Sequence, residues 1–117
     1  MISQPAGAAI YLVTTPCDMR KGMNGLAGLV QSALKANPHS GALYVFRGKR
    51  GDLVKILGWD GSGLCLFIKR LEENRFVWPP IVAGRLKLTP GQLSLLLEGI
   101  DWRRTVAPAP VEAPEMI

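Results

Sequence analysis

The strongest constraint on this fold is the punctuation between residues 43 and 78, LYVFRGKRGDLVKILGWDGSGLCLFIKRLEENRFVW. Apolar, β-branched and aromatic residues fill 43–47, 52–59, 64–71 and 75–78. Between them stand Gly48-Lys49-Arg50-Gly51, Asp60-Gly61-Ser62-Gly63 and Glu72-Glu73-Asn74. These are turn residues for a physical reason: Gly tolerates positive φ, and Asp and Asn side chains hydrogen-bond to their own backbone. Apolar runs this short, bounded by turn signals, are strands rather than helices. The pattern predicts four antiparallel strands in a meander. With four residues in each turn, Arg47 stands opposite Asp52, Trp59 opposite Leu64, and Arg70 opposite Arg75.

Alternation along the strands sorts the side chains into two faces. One carries Leu43, Val45, Val54, Ile56, Cys65, Phe67, Phe76 and Trp78, with Lys69 among them, and is expected to lie under the first helix. The other carries Tyr44, Phe46, Leu53, Leu57, Trp59, Leu64, Leu66, Ile68 and Val77, interleaved with Lys55, Arg70 and Arg75. Aromatics beside bases suit a single-stranded nucleic-acid platform, where rings stack on bases and cations meet phosphates. The same face equally suits packing on the second helix or a dimer partner, with the long basic side chains reaching water at the rim. A slip of one residue in register would exchange the faces.

The flanks supply the cover. Residues 9–13 read as a short apolar strand, and Asp18 as the cap of a helix over 19–36, with Met19, Met23, Leu26, Val30, Ala33 and Leu34 along one stripe. Gly22, Gly25 and Gly28 weaken that helix, so packing must hold it. Pro79 and Pro80 stop the sheet, and 82–88 reads as a short edge strand around Gly84. Thr89-Pro90-Gly91-Gln92 opens a second helix, with a Thr cap, Pro at the first helical position and Gln three residues after the cap; Leu93, Leu96 and Leu97 form its buried stripe and Gly99 its stop. The fold class expected is α+β, an antiparallel sheet of about five or six strands with a meander core, packed with an N-terminal and a short C-terminal helix. Residues 1–104 read as one compact domain, and 105–117, with Pro108, Pro110 and Pro114, as a flexible tail.

Charge narrows the function. The chain has fourteen Lys and Arg against nine Asp and Glu, a net charge of +5. Residues 105–117 hold two of the acids and none of the bases, so the domain carries fourteen bases against seven acids, or +7. That balance favours a polyanionic partner, nucleic acid first. A composition of 48% hydrophobic and 20% charged residues excludes global disorder. No apolar run approaches the roughly 18 residues of a spanning helix, and the start lacks a signal-peptide pattern. No membrane association is expected, and the cytoplasm is the expected compartment.

A search for catalytic groups returns little. His39, the sole histidine, sits in a turn, and no nucleophile has a base beside it. Asp18, Asp52 and Asp60 are the only acids with a claim to magnesium, and each has a local role as helix cap, cross-strand partner of Arg47, or turn residue. Cys17 and Cys65 have no CxxC or Cys/His spacing and read as small apolar residues. No GxxxxGK[ST] phosphate loop occurs. No catalytic residue, cofactor or metal ligand is therefore expected. The candidate nucleic-acid-binding residues are Arg20, Lys21, Arg47, Lys49, Arg50, Lys55, Trp59, Arg70 and Arg75. Of these, Lys49 and Arg50 sit at a hairpin tip between glycines that let a backbone approach a phosphate. Arg20 and Lys21 lie exposed at the start of the 19–36 helix, where the dipole attracts anions.

The blocks Asp18-Met19-Arg20-Lys21-Gly22, Gly25-Leu26, Tyr44-Val45-Phe46-Arg47, Lys55-Ile56-Leu57, Trp59-Asp60-Gly61, Lys69-Arg70-Leu71-Glu72, Arg75-Phe76-Val77-Trp78-Pro79 and Gly99-Ile100-Asp101-Trp102 occur in an order that resembles the TnpB-type accessory protein of the IS sixty-six family of bacterial insertion sequences. The resemblance runs from about Ile10 to Arg103. Gly58 departs from it, standing where an aromatic is usual before Trp-Asp-Gly. The resemblance implies a role in transposition beside a DDE-type transposase and a second small accessory protein of the same element. It carries no catalytic residues to this chain. Joined to the basic, aromatic-bearing sheet, it leads to the expectation of a non-enzymatic factor that binds DNA and helps assemble the transposase complex. The alternatives are an adaptor that contacts only the transposase and a metal-dependent enzyme acting on DNA ends. A homo-oligomer stays open.

Overall fold

The computed structural model describes residues 7–103 and the backbone of Ala109–Val111. The expected tail, 105–117, otherwise lies outside the described residues. The elements in chain order are β1 (Ile10–Leu12), α1 (Met23–Ser32), β2 (Leu43–Arg47), β3 (Leu53–Trp59), β4 (Leu64–Arg70), β5 (Arg85–Leu88), α2 (Pro90–Leu97) and β6 (Ala109–Val111). The strands form one sheet in the order β4-β3-β2-β1-β5-β6. Every neighbouring pair is antiparallel except β1 and β2, which run parallel with α1 as their crossover. This is the expected α+β class. The strand expected at the sheet edge near Gly84 is instead interior, because β5 lies between β1 and β6.

The β3–β4 register is the one read from the sequence, with Trp59 opposite Leu64. The β2–β3 register differs by two residues: Arg47 pairs with Val54 rather than Asp52. A shift of two preserves the pleat, so the same side chains still share each face. Leu43, Val45, Val54 and Ile56 join Ile10, Leu12 and Phe76 in one core, covered by Leu93, Leu96 and Leu97 of α2. Tyr44, Phe46 and Leu57 form the other core, covered by Leu26 and Val30 of α1 and by Leu34. The helices are thus exchanged relative to the sequence reading. The alternation tells which side chains share a face, whereas the side on which α1 lies follows from its crossover between parallel strands.

Residues 75–78 do not form the expected fourth meander strand, and β4 remains an outer strand. After the turn, where Asn74 adopts φ +67°, the chain leaves the sheet plane. Phe76 is buried in the α2-side core, and Trp78 packs against that core. The Gly51 carbonyl accepts from both the Phe76 N–H and the Trp78 indole N–H, each at 3.0 Å. Burial of two aromatic rings and these two donors outweigh pairing on β4, and Pro79 and Pro80 could not extend a ladder.

Helix α1 is shorter than the expected 19–36. Asp18 caps a turn rather than the helix: its carboxylate accepts from the Arg20 N–H at 2.9 Å, and its carbonyl from the Lys21 N–H at 3.1 Å. Gly22 is the N-cap, without a side-chain cap bond. At the other end, Lys35 takes φ +52° and ends the helix. Helix α2 begins as expected: Thr89 Oγ1 accepts from the Gln92 N–H at 3.1 Å while Gln92 Oε1 accepts from the Thr89 N–H at 2.9 Å. Trp102, fully buried, donates its indole N–H to the Val77 carbonyl at 2.8 Å and so closes the α2-side core.

Candidate nucleic-acid interface

Parallel pairing brings the end of β1 beside the end of β2, and with it two segments that the sequence keeps apart. Beyond β1, the Val13 and Cys17 N–H groups both donate to β2 carbonyls, of Val45 and Arg47, at 2.9 Å. This carries residues 18–21 against the 48–51 turn. Met19 lies directly on Gly48, so close that a Cβ at position 48 would come within 2.5 Å of the Met19 Cγ. Gly48 is buried for that reason. Gly51, at φ +81°, adopts the backbone conformation that glycine alone takes without strain, and it points its carbonyl down to Phe76 and Trp78.

Between these segments lies a half-open cavity of about 540 Å³, bounded by residues 16–19, 48–53 and Arg70. Its walls mix apolar groups from Pro16, Cys17, Met19 and Leu53 with the charges of Asp18, Lys49, Arg50, Asp52 and Arg70. It opens at the carboxyl ends of the parallel strands, where the first turn of α1 also begins.

The acids there are already engaged. Asp18 pairs with Arg20 at 2.9 Å, and Asp52 with Arg50 at 3.1 Å. The Arg20 side chain first and its backbone N–H second pull the Asp18 carboxyl down to about 2. Lys49 and Arg70 make no ion pair among the described residues, so their charges face solvent uncompensated.

The candidate residues therefore divide. Arg20, Lys21, Lys49, Arg50 and Arg70 gather at this end of the sheet. Arg75 joins them, since its Cδ would lie 3.4 Å from a Cβ at Gly51. Arg47 is half-buried, stacked over the Trp78 ring at 5.1 Å, with its buried Nε lacking a partner. Burial pushes its pKa down.

Lys55 and Trp59 stand apart. Lys55 is 8% exposed and donates from Nζ to the Lys21 carbonyl at 2.9 Å, so it supports the 18–21 segment from beneath. Trp59 lies at the opposite end of β3, roughly 20 Å away by strand rise, and packs edge-on against His39 with centroids 4.9 Å apart. The aromatic platform does not form: Tyr44 and Phe46 are 2% and 1% exposed beneath α1.

Asp60 is likewise remote from Asp18 and Asp52. Its carboxylate accepts from the Ser62 and Gly63 N–H groups at 3.0 and 2.9 Å, which fixes the β3–β4 turn and lowers its pKa. Sequence reasoning missed Pro16, Met19 and Leu53 as walls of a site. Nothing local signals them, because their meeting depends on the β1–β2 pairing.

A family model described as "IS66 Orf2 like protein" matches residues 8–107. The chain is 45% identical over 117 residues to the uncharacterized protein y4jC of Sinorhizobium fredii (strain NBRC 101917 / NGR234), covering 100% of this chain and 99% of that one. It is 48% identical over 103 residues to the uncharacterized protein y4hO of the same strain, covering 88% of this chain and 90% of the relative. No solved structure matches it. With the family model spanning nearly the whole described domain and these relatives matched along most of their length, the chain belongs to the IS66 Orf2-like family, accessory proteins of IS66 insertion sequences.

Proposed function

We propose that this protein is a non-enzymatic accessory factor of insertion-sequence transposition that binds DNA through the cationic end of its sheet and helps assemble the transposase complex. The observation that carries the reading is the convergence of residues 16–19, the 48–53 loop and Arg70 around one cavity, with Lys49 and Arg70 uncompensated. Phosphates are met there by several side chains held on a rigid scaffold, which positions a backbone without reading sequence. Asp18 and Asp52 are neutralised by arginines, and Asp60 holds a turn, which weighs for binding and against chemistry on DNA ends.

The test incubates purified protein with labelled end DNA across a salt series, with and without the transposase and the second accessory protein of the element. DNA binding is expected to weaken steeply with salt, and Lys49→Ala with Arg70→Ala to flatten the slope by about one unit per lost phosphate contact. Co-purification with the transposase and no DNA binding would replace this reading by the adaptor. Divalent-metal-dependent cleavage, lost on changing Asp18, would replace it by the enzyme.

A further inference from the structure

We infer that the cavity between residues 16–19 and the 48–53 loop holds one unpaired nucleotide of the DNA. The inference rests on the DNA-binding reading above and makes it specific. A purely phosphate-binding surface has no need of a cavity, yet this one has about 540 Å³, within the roughly 300–1,000 Å³ of small-molecule sites. A duplex is too wide to enter it, whereas a single nucleotide fits.

The wall chemistry fits the two halves of that ligand. Pro16, Met19 and Leu53 offer an apolar surface for the face of a base, which every base possesses. Lys49 and Arg70, the bases on the wall without an ion pair, offer charge to its phosphate. The carboxylates of Asp18 and Asp52 lie on the same walls, where they engage Arg20 and Arg50 and leave those two cations less free for a phosphate. The phosphate is therefore held on the Lys49 and Arg70 side and the base against the apolar wall. The site is also built rather than loose: Met19 is locked on Gly48, Gly51 is pinned through its carbonyl, and Lys55 holds the Lys21 carbonyl.

The experiment measures binding of the full chain, by fluorescence anisotropy at fixed salt, to three labelled probes. These are a blunt duplex, the same duplex with one unpaired terminal nucleotide, and the same duplex with an abasic residue in place of that nucleotide. The unpaired nucleotide is expected to tighten binding by roughly tenfold over blunt ends, the scale of burying about 50 Å² of apolar surface at about 25 cal/mol per Å². The abasic probe is expected to fall back to within a few-fold of blunt. Lys49→Ala and Arg70→Ala, both at exposed positions, are expected to reduce the advantage of the unpaired nucleotide. Equal binding of all three probes would overturn the nucleotide site and leave DNA binding standing. Abasic and intact overhangs bound equally well would overturn the base-binding wall. No binding to any probe would overturn the DNA reading and this inference with it.

Discussion

Gly48, Lys55 and Asp18 show how single residues set the site. A methyl at position 48 would collide with the Met19 Cγ at 2.5 Å, so Gly48→Ala forces Met19 out of its rotamer. The expected loss is about 1–3 kcal/mol in urea unfolding, typical of overpacking. Met19→Ala in the same chain should recover much of it, because residues in contact couple non-additively. Lys55 Nζ donates to the Lys21 carbonyl at 2.9 Å and so supports the 18–21 segment. Lys55→Ala removes both its aliphatic packing and its bond to the Lys21 carbonyl and should cost about 2–4 kcal/mol. Lys55→Met should cost less, and both should leave the salt slope of DNA binding unchanged. A slope lowered by about one unit would return Lys55 to the DNA surface. Asp18 titrates below its unfolded value, so its contribution to stability is present above about pH 4 and fades as pH falls towards 2. Asp18→Asn should therefore leave the pH dependence of unfolding unaltered between pH 6 and 9, roughly, and flatten it only in acid.

At the scale of elements, the segment between β4 and β5 replaces a strand by a set of tethers. Thr14, fully buried just past β1, accepts from the Val82 N–H at 2.8 Å and donates from Oγ1 to the Val82 carbonyl at 3.2 Å. Together with the Gly51 carbonyl below Phe76 and Trp78, and the Trp102 indole on Val77, this bond fixes a stretch that has no ladder of its own. Thr14→Val keeps the shape and strands both Val82 backbone groups in a half-buried position. The expected loss is about 1–3 kcal/mol by calorimetry or denaturant melt. A change under about 0.5 kcal/mol would mean that water reaches Val82 and that the segment is held by its aromatics alone.

For the molecule as a whole, the placement of the cationic residues and of Trp59 follows from the direction of the strands. Parallel β1 and β2 place the 18–21 segment and the 48–51 turn at one end, while the antiparallel return of β3 takes Trp59 to the other, beside His39. Trp59→Ala should accordingly leave DNA affinity within about two-fold of the parent, where loss of a stacked base would cost 5- to 150-fold. A drop of that larger size in a folded variant would move the DNA surface to the Trp59 end. No helix among the described residues is long and apolar enough to cross a membrane.

Two-residue alternation and turn chemistry were local, and the sequence carried them without help. Strands 43–47 and 64–70, the Thr89 capping box and the sorting of Val45, Val54 and Ile56 from Tyr44, Phe46 and Leu57 all follow from neighbours along the chain. The face assignment survived even a two-residue error in register, because the pleat repeats every two residues. Basic residues at strand ends and turns were equally plain. Only tertiary structure decided which helix covers which face, because that depends on a crossover between strands separated by thirty residues in sequence, Leu12 to Leu43 at their near ends. The same parallel pairing created the cavity from residues 16–19 and 48–53. Residues 75–78 read as a strand from composition and became a brace, since burying Phe76 and satisfying the Gly51 carbonyl gained more than another edge on β4. Lys55 shows the physical reason most simply: composition gives its charge, but only the fold decides whether that charge meets solvent or a backbone carbonyl.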